Sequence, residues 1–155
     1  KGQQKAQFQP GMNIKAKVTV FAEGTRGSLA KGLIAKLGLD QGKNHKLYET
    51  GVKEIWELPP GRVHDGRVIH TMGWPLRNDA FGGGFIYSMT NNRIDIGFVV
   101  GLDYKDPHLD PHHEFQRLKT HPKIRPILEG GRMIEYGANT ITSGWWFSVP
   151  KLSMP

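Results

Sequence analysis

The amino-acid sequence predicts an α+β fold, in which two main helices pack on one mostly antiparallel sheet. Four strand-like runs follow one another between residues 51 and 103, and only short turn segments separate them. Two other segments carry the signals that start and stop helices. Because parallel strands need long crossovers, the short connections imply an antiparallel meander.

The first unit of the chain reads as a strand, a glycine turn and a helix. Residues 14–22 alternate apolar side chains with lysine and threonine, which is the period of a half-buried strand ending before Gly24. The run 28–38 then places three leucines and an isoleucine on one helical face. We expect Ser28 to be the N-cap of this helix and Gly38 to be its left-handed C′ residue.

Four strands are expected after a polar loop at residues 39–50. They are predicted at residues 51–58, 66–74, 83–89 and 93–103. Proline, glycine, asparagine and aspartate separate them, as hairpin and turn residues should. The last run is almost continuously apolar from Ile94 to Val100, which favours an interior strand that is covered on both faces toward its end.

The second main helix is predicted to begin near residue 110. Asp110 can cap it, and Pro111 suits the first helical position. A short helical turn is expected at residues 124–131, and residues 132–142 and 143–155 are then expected to return to strand.

Composition and charge exclude several classes of function. The chain has no cysteine, which excludes disulfides, thiolate metal sites and cysteine nucleophiles formed by this chain. Its formal net charge of +7 favours a negatively charged partner, such as an anionic membrane or an acidic protein surface. Lysine and arginine are spread along the chain rather than clustered, so we expect no nucleic-acid partner, although a basic nucleic-acid-binding module remains an alternative. No apolar run approaches the roughly 20 residues of a membrane span, so a soluble or peripheral protein is expected.

The histidines near residue 110 are the obvious candidates for a metal site. His108 and His112 have the spacing that places two imidazoles on one helix face, and His113 is adjacent. A helix that starts at Asp110 would leave His108 outside, so we expect no metal site. Acid–base or nucleophilic catalysis has no recognisable signature, and no catalytic residue is predicted.

Two glycine-containing stretches are the stronger candidates for binding. Gly24, Arg26 and Gly27 lie between the first strand and the first helix, where backbone N–H groups and a cation could stabilise an anion. Residues 82–84 are three consecutive glycines between Phe81 and further aromatic residues. Bare backbone between apolar walls suits a flat, mostly hydrophobic ligand, and the competing interpretation is a hairpin that closes on itself.

Specific stretches of this chain resemble a known family. They read, in order, "KVTVFAEGTRGSLAKGLIAKLGL", "GVKEIWEL", "GRVIHTMGWPLRNDAFGGGFIYSM", "IDIGFVVGLDYKDPHLDPHHEFQRLKTHP", "LEGGRMIEYGA" and "SVPKL". Together they are similar to the middle of the electron transfer flavoprotein:ubiquinone oxidoreductases, over nearly the whole chain. The resemblance implies that residues 1–155 are a single quinone-binding or substrate domain cut from a larger FAD-dependent oxidoreductase, with residues 1–27 bordering the missing FAD domain.

The resemblance also implies cofactors, partners and a place in the cell. The family's complete enzyme carries FAD and a [4Fe-4S] cluster, takes electrons from reduced electron transfer flavoprotein, and passes them to ubiquinone. It is peripheral on the mitochondrial inner membrane or on the cytoplasmic face of a bacterial inner membrane. This chain lacks the dinucleotide-binding glycine motif and the cluster cysteines, so we expect it to bind no cofactor alone and to be inactive and soluble by itself.

Site residues carry over from the family residue by residue. The family's Tyr-Gly-Gly stretch at the quinone head group corresponds to Phe81, Gly82 and Gly83, and Gly84 stands where a serine is common. Trp74 is expected to help form the apolar surroundings of the quinone. The five residues that match the segment near the flavin are Glu23, Gly24, Thr25, Arg26 and Gly27.

Two departures from the family pattern lie near the end of the chain. Where the family reads Tyr-Gly-Ala-Arg and then Glu-Gly-Gly, this chain has an asparagine at Asn139 and the tryptophan pair Trp145 and Trp146. The pair is expected in the core, with a domain interface or a membrane contact as alternatives. The substrate domain of another FAD-dependent reductase or hydroxylase stays open as an alternative for the whole chain.

Overall fold

The structure, a computed structural model, describes residues 3–153. It contains one five-stranded sheet with helices on it, which confirms the predicted α+β class. The strands are β1 (Leu47–Glu57), β2 (Val68–His70), β3 (Gly82–Met89), β4 (Arg93–Gly101) and β5 (Arg132–Ser143). The helices are α1 (Ser28–Leu37), α2 (Pro111–Lys119), the single turn α3 (Arg125–Leu128) and the 3-10 turn Trp146–Ser148.

The strand order is β2-β3-β4-β1-β5, and every neighbouring pair is antiparallel. The predicted meander is confirmed from β2 to β4. It is wrong for β1, which lies between β4 and β5 instead of beside β2. The ten residues from 58 to 67 are long enough to carry the chain past β4 and β3, whereas a tight turn would not be.

The core lies between α2 and one face of the sheet. Phe115 and Leu118 of α2 are fully buried against Ile96 and Phe98 of β4, the central strand. Asp110 caps α2 through its side chain, which accepts a hydrogen bond from the backbone N–H of His112 at 2.9 Å, and Pro111 is the first helical residue. This arrangement confirms the predicted helix start and the predicted interior strand.

The predicted strand at residues 14–22 is wrong. The segment is irregular and exposed, and Ile14, Val18 and Val20 are each at least 78% exposed. An alternating pattern makes a strand only where the backbone finds a neighbour to pair with. Within the described part of the chain, no strand of the sheet pairs with this segment.

Helix α1 lies where it was predicted, but it begins one residue earlier because its N-cap is Gly27 and not Ser28. Gly27 is the N-cap residue and Ser28 is already helical, while Gly38 has the expected left-handed conformation (φ 58°). No residue of α1 is buried, although Leu33 and Ile34 are partly covered. The apolar face that the sequence predicts is therefore only half packed.

The end of the chain also departs from prediction. Residues 144–153 form a turn and an irregular segment rather than a strand, and Met154 and Pro155, at the end of the predicted strand, lie outside the described residues. Trp145 and Trp146 are 88% and 69% exposed, so their expected core position is wrong. Among the helices of residues 3–153, none combines the length and apolar character that crossing a bilayer requires.

Candidate binding clefts

A cleft of about 680 Å³ opens where the beginning of β1, the end of β4 and the end of β5 meet. We call it the Phe81 cleft. Its lining consists of Arg26, Lys46, Leu47, Tyr48, Glu49, Phe81, Gly101, Leu102, Asp103, Thr140, Ser143, Gly144 and Trp145. It therefore brings together Arg26, predicted for the flavin side, and Phe81, predicted for the quinone.

Backbone hydrogen bonds at the strand ends position the walls of the Phe81 cleft. The N–H of Gly101 donates to the carbonyl oxygen of Phe81 at 2.9 Å, and the N–H of Leu102 donates to that of Tyr48 at the same distance. The first bond ties the entry of β3 to the end of β4, and the second ties the exit of β4 to β1. Phe81 remains 58% exposed, and Leu102 remains 45% exposed, so apolar surface is available at the cleft.

The chemistry of the Phe81 cleft suits a flat organic molecule. Tyr48, Phe81, Leu102 and Trp145 supply aromatic and aliphatic surface, and the Arg26 guanidinium carbon lies 5.6 Å from the centre of the Tyr48 ring. Mostly apolar clefts with a few polar groups are typical of small-molecule and cofactor sites. A cation over an aromatic ring can also donate hydrogen bonds to a carbonyl oxygen of a bound ligand.

Trp145 stands out by its backbone conformation. Its φ is 59° and its ψ is −168°, a region that only glycine ordinarily occupies, and such a conformation costs about 1–3 kcal/mol. The residue before it, Gly144, also has a positive φ, of 106°. Trp145 and Gly144 both belong to the lining of the Phe81 cleft.

A second, more polar cleft of about 470 Å³ lies between α1 and the start of β1, and we call it the basic cleft. Its charged lining includes Arg26, Lys31, Lys43 and Lys46 against the single carboxylate of Asp40. Gly24, Thr25 and Gly27 also line it, which places four of the five residues predicted near the flavin at one site. An excess of cations in a concave site stabilises anionic groups such as phosphates.

Glu23, the fifth of these residues, has a separate role in this structure. Its carboxylate accepts hydrogen bonds from the backbone N–H groups of Leu29, at 3.2 Å, and Ala30. The N-terminus of α1 therefore does hold an anion, as the sequence suggests, but that anion belongs to the chain itself. Thr25 is fixed by its hydroxyl, which donates to the carbonyl oxygen of Thr140 on β5 at 2.6 Å.

The three glycines of β3 have close neighbours within the chain. A Cβ atom at Gly82 would collide with the carbonyl oxygen of Val99, and one at Gly83 would collide with that of Thr71. At Gly84 it would lie 2.6 Å from the Leu118 side chain of α2. Packing against the chain itself is thus a sufficient reason for the missing side chains, and the expected approach of a quinone to this backbone stays a prediction.

Trp74 lies apart from both clefts. Its ring centre is 5.1 Å from that of His121 with a tilt of 55°, and the side chain is 44% exposed. Gly73, the residue before it, donates its N–H to the carbonyl oxygen of Gly82, so Trp74 is tied to the glycine stretch through the backbone. It does not line the Phe81 cleft.

Within residues 3–153, no group of three or more histidine, aspartate or glutamate side chains is arranged to hold a metal ion. The helix that begins at Pro111 leaves His108 outside, as the sequence predicts. An iron–sulfur cluster that needs four thiolates does not fit this chain, because the sequence contains no cysteine.

A buried ion pair joins β1 to α2 away from both clefts. Glu54, only 5% exposed, accepts hydrogen bonds from Lys119 Nζ at 2.7 and 2.8 Å and from the Trp56 indole at 2.7 Å. Burial works to raise the pKa of Glu54, but these hydrogen bonds and the Lys119 charge outweigh it and hold the pKa below its ordinary value. The pair anchors α2 on the sheet, and its partners lie outside the lining of the Phe81 cleft.

Sequence reasoning missed several residues that line the Phe81 cleft. Tyr48 and Leu102 were assigned to a loop and a strand end, and Trp145 was expected in the core. The sequence does show large apolar residues near the predicted strand ends. Only the strand order β4-β1-β5, however, brings these residues together in one cleft. That order is not readable from local patterns.

The comparison with known proteins identifies the family. Residues 48–141 match the family model described as "ETF-QO, ubiquinone-binding". The chain is 49% identical over 148 residues to the mitochondrial electron transfer flavoprotein-ubiquinone oxidoreductase of Dictyostelium discoideum, covering 96% of this chain and 24% of that protein. The proteins of that name from Pseudomonas aeruginosa and Homo sapiens are 45% and 46% identical, over 96% and 99% of this chain and 27% and 25% of their own lengths.

The chain therefore spans about a quarter of the length of the curated relatives that it matches. The match covers most of the sheet and α2, from Tyr48 at the Phe81 cleft to Ile141 near the end of β5. This chain belongs to the electron transfer flavoprotein-ubiquinone oxidoreductase family, and residues 48–141 correspond to the region described as ubiquinone-binding.

Proposed function

We propose that this chain is the quinone-binding part of an enzyme that passes electrons from reduced electron transfer flavoprotein to ubiquinone, and that the quinone ring is bound in the Phe81 cleft. The observation that carries the proposal is the meeting of Phe81 and Arg26 in one cleft. These residues come from separate stretches that the family resemblance assigns to the quinone and to the flavin. Acceptor and electron source would then be neighbours.

The shape and chemistry of the Phe81 cleft support a quinone as its ligand. A quinone ring is flat and apolar on both faces, and its only strong polar atoms are oxygens that accept hydrogen bonds. Aromatic side chains favour stacked or edge-on contacts with such rings. Tyr48 and Phe81 supply these contacts, and Arg26 supplies a donor for one oxygen.

Arg26 would do more than bind the quinone. Reduction of a quinone to a quinol takes two electrons and two protons, and negative charge develops on the ring oxygens as electrons arrive. A guanidinium stays protonated throughout, so it stabilises that charge without supplying the proton. The guanidinium carbon of Arg26 lies 5.6 Å from the centre of the Tyr48 ring, beside one aromatic wall of the cleft.

Gly82 and Gly83 follow Phe81 directly, and we propose that their backbone lies beside the quinone head group. Quinone contact at Gly84 and Trp74 remains a prediction; neither residue lines the Phe81 cleft, since Gly84 packs on α2 and Trp74 packs on His121. Gly82 and Gly83 lie on β3, whereas Tyr48 lies on β1 and Trp145 follows β5, so an experiment can distinguish ligand contact with the glycine amides from contact with these two cleft residues.

The flavin side of the enzyme would meet this chain at the basic cleft. Gly24, Thr25, Arg26 and Gly27 line it together with three lysines, and this donor set fits an anionic cofactor such as FAD. FAD, when bound, supplies the electrons that reduce the quinone. Glu23 would hold the turn in place by occupying the amides of α1, so the phosphates would rely on the cations instead.

The remaining parts of the proposal concern the whole enzyme. The names of the relatives support electron transfer flavoprotein as the electron donor, and several relatives are named as mitochondrial. The thiolates of a [4Fe-4S] cluster would have to come from outside this chain. We propose a peripheral position at the membrane that holds the quinone, with the net charge of +7 favouring its anionic surface.

Equilibrium dialysis against a short-tailed ubiquinone tests the proposal. The variant Phe81→Ser should bind the quinone about tenfold more weakly than the wild type, because it loses one aromatic wall. Phe147→Ser is the matched control, since Phe147 is similarly exposed, at 68%, and does not line the cleft. Equal binding by wild type and Phe81→Ser would contradict the proposed location, and no binding by the folded wild type would contradict quinone binding by this chain.

A further inference from the structure

We propose that Trp145 is a specificity-determining residue of the Phe81 cleft, whose indole packs flat against the ring of the bound quinone. The inference rests on the quinone binding proposed above and adds a residue for which sequence patterns gave no such role. Three observations carry it: the strained backbone of Trp145, the exposure of its ring and its place in the cleft lining.

The turn that follows Trp145 holds its backbone in the unfavourable conformation. Ser148 donates its backbone N–H to the carbonyl oxygen of Trp145 at 3.1 Å, and its hydroxyl donates to the carbonyl oxygen of His45 at 3.0 Å. The N–H of Asn44 donates to the carbonyl oxygen of Phe147 at 2.8 Å. A strained residue persists only where its surroundings fix it in this way, and such residues cluster at ligand sites.

Burial of the Trp145 side chain does not offset the strain of its backbone. The side chain is 88% exposed, so its ring gains little from burial. Glycine would occupy the same conformation without strain. A large aromatic ring at this position is therefore explained by what it can contact outside the chain.

The neighbouring ring provides a natural comparison. Trp146 is 69% exposed, does not line the Phe81 cleft, and lies 5.8 Å from the Lys43 ammonium. Of the two adjacent tryptophans, only Trp145 lines the Phe81 cleft, together with Phe81, Tyr48 and Leu102. A flat ligand between these walls would be covered on a second face by the indole, and molecules that are not flat would be disfavoured.

Quinone affinity and stability should respond to Trp145 in different ways. Trp145→Gly should bind a short-tailed ubiquinone about three- to tenfold more weakly, because it loses one aromatic stacking contact. Its urea unfolding midpoint should equal or exceed that of the wild type, since the strain is released and little packing is lost. Trp145→Phe, which keeps a flat ring, should retain most of the affinity, and Trp146→Gly should bind like the wild type.

Each outcome of this experiment bears on the inference. Saturable binding of wild-type strength by Trp145→Gly would overturn the role of Trp145 and leave the proposed function intact. An equal loss in Trp146→Gly, or a lower unfolding midpoint for Trp145→Gly, would also overturn it, because the tryptophan pair would then act as a general surface or as structural support. If the folded wild type binds no quinone, the proposed function fails and this inference fails with it.

Discussion

At the scale of single residues, the glycines of β3 are sites of close approach between chain segments. Gly83→Ala should lower the free energy of unfolding by about 1–3 kcal/mol, because the added methyl group meets the backbone oxygen of Thr71, which cannot move aside cheaply. Gly137→Ala on β5 is the matched control, since nothing lies within 4 Å of its added methyl group. Urea denaturation measures both, and equal stability of the two variants would contradict this explanation of the triplet.

The buried pair of Glu54 and Lys119 gives a second prediction at this scale. Lys119→Met should cost about 3–5 kcal/mol at neutral pH, because the Glu54 carboxylate then stays buried without its cation. Arg132→Met, which breaks an exposed pair with Glu57, should cost at most about 1 kcal/mol. Urea unfolding measures the loss of stability in both variants. Similar losses would contradict the claim that burial makes the pair of Glu54 and Lys119 more important for stability than the exposed pair of Glu57 and Arg132.

The pH dependence of this difference follows from the pKa of Glu54. In the wild type that pKa lies below its ordinary value of 4.5, so the contribution to stability is present above pH 4.5 and is lost as the pH falls through the folded-state pKa. In Lys119→Met, burial without the cation should raise the pKa, and stability is then lost as the pH rises through it. The difference in the free energy of unfolding between the two proteins should therefore become smaller as the pH falls from about 7 to about 4. A gap that stays constant would contradict the ion pair as its cause.

At the scale of elements, the structure divides the chain into a well-covered part and an exposed part. Ile96, Phe98 and Val100 of β4 are completely buried, whereas α1 has no buried residue and residues 14–22 pair with no strand of the described sheet. Local stability follows this coverage, because opening an exposed element uncovers little apolar surface.

Hydrogen exchange measured by mass spectrometry should reproduce this division. Peptides from β4 should exchange most slowly, peptides from α1 should exchange much faster, and residues 14–22 should show little protection. Protection of α1 as strong as that of β4 would contradict the half-packed position of the helix.

Predictability from the sequence also differs among elements. The start of α2 was predictable because Asp110 and Pro111 are local signals, and β4 was predictable because its segment from Ile96 to Val100 contains no polar side chain. The alternation in residues 14–22 carries a similar signal, yet a strand also needs a partner, which local pattern does not supply. For the same reason the position of β1 between β4 and β5 was not predicted.

At the scale of the whole molecule, the fold brings together residues that are far apart in sequence. The α+β class and the individual residues Phe81 and Arg26 were accessible from composition, pattern and resemblance. Their meeting beside Tyr48 and Trp145 depends on strand order, so the cleft itself could not be predicted from the sequence. The sequence suggested a bound ligand as the reason for the three glycines at residues 82–84. Their contacts with Thr71 and with Leu118 of α2 depend on tertiary packing, which the sequence pattern does not show.

The most direct test of the account is an NMR titration of this chain with a short-tailed ubiquinone, with the backbone amides and the tryptophan indoles assigned. We predict saturable shifts at Phe81, Tyr48, Leu102 and the Trp145 indole, with smaller shifts at the amides of Gly82 and Gly83. The Trp74 indole, which packs on His121, should be nearly unchanged. Shifts centred on Trp74, or no saturable shift in a folded chain, would contradict a quinone site in the Phe81 cleft.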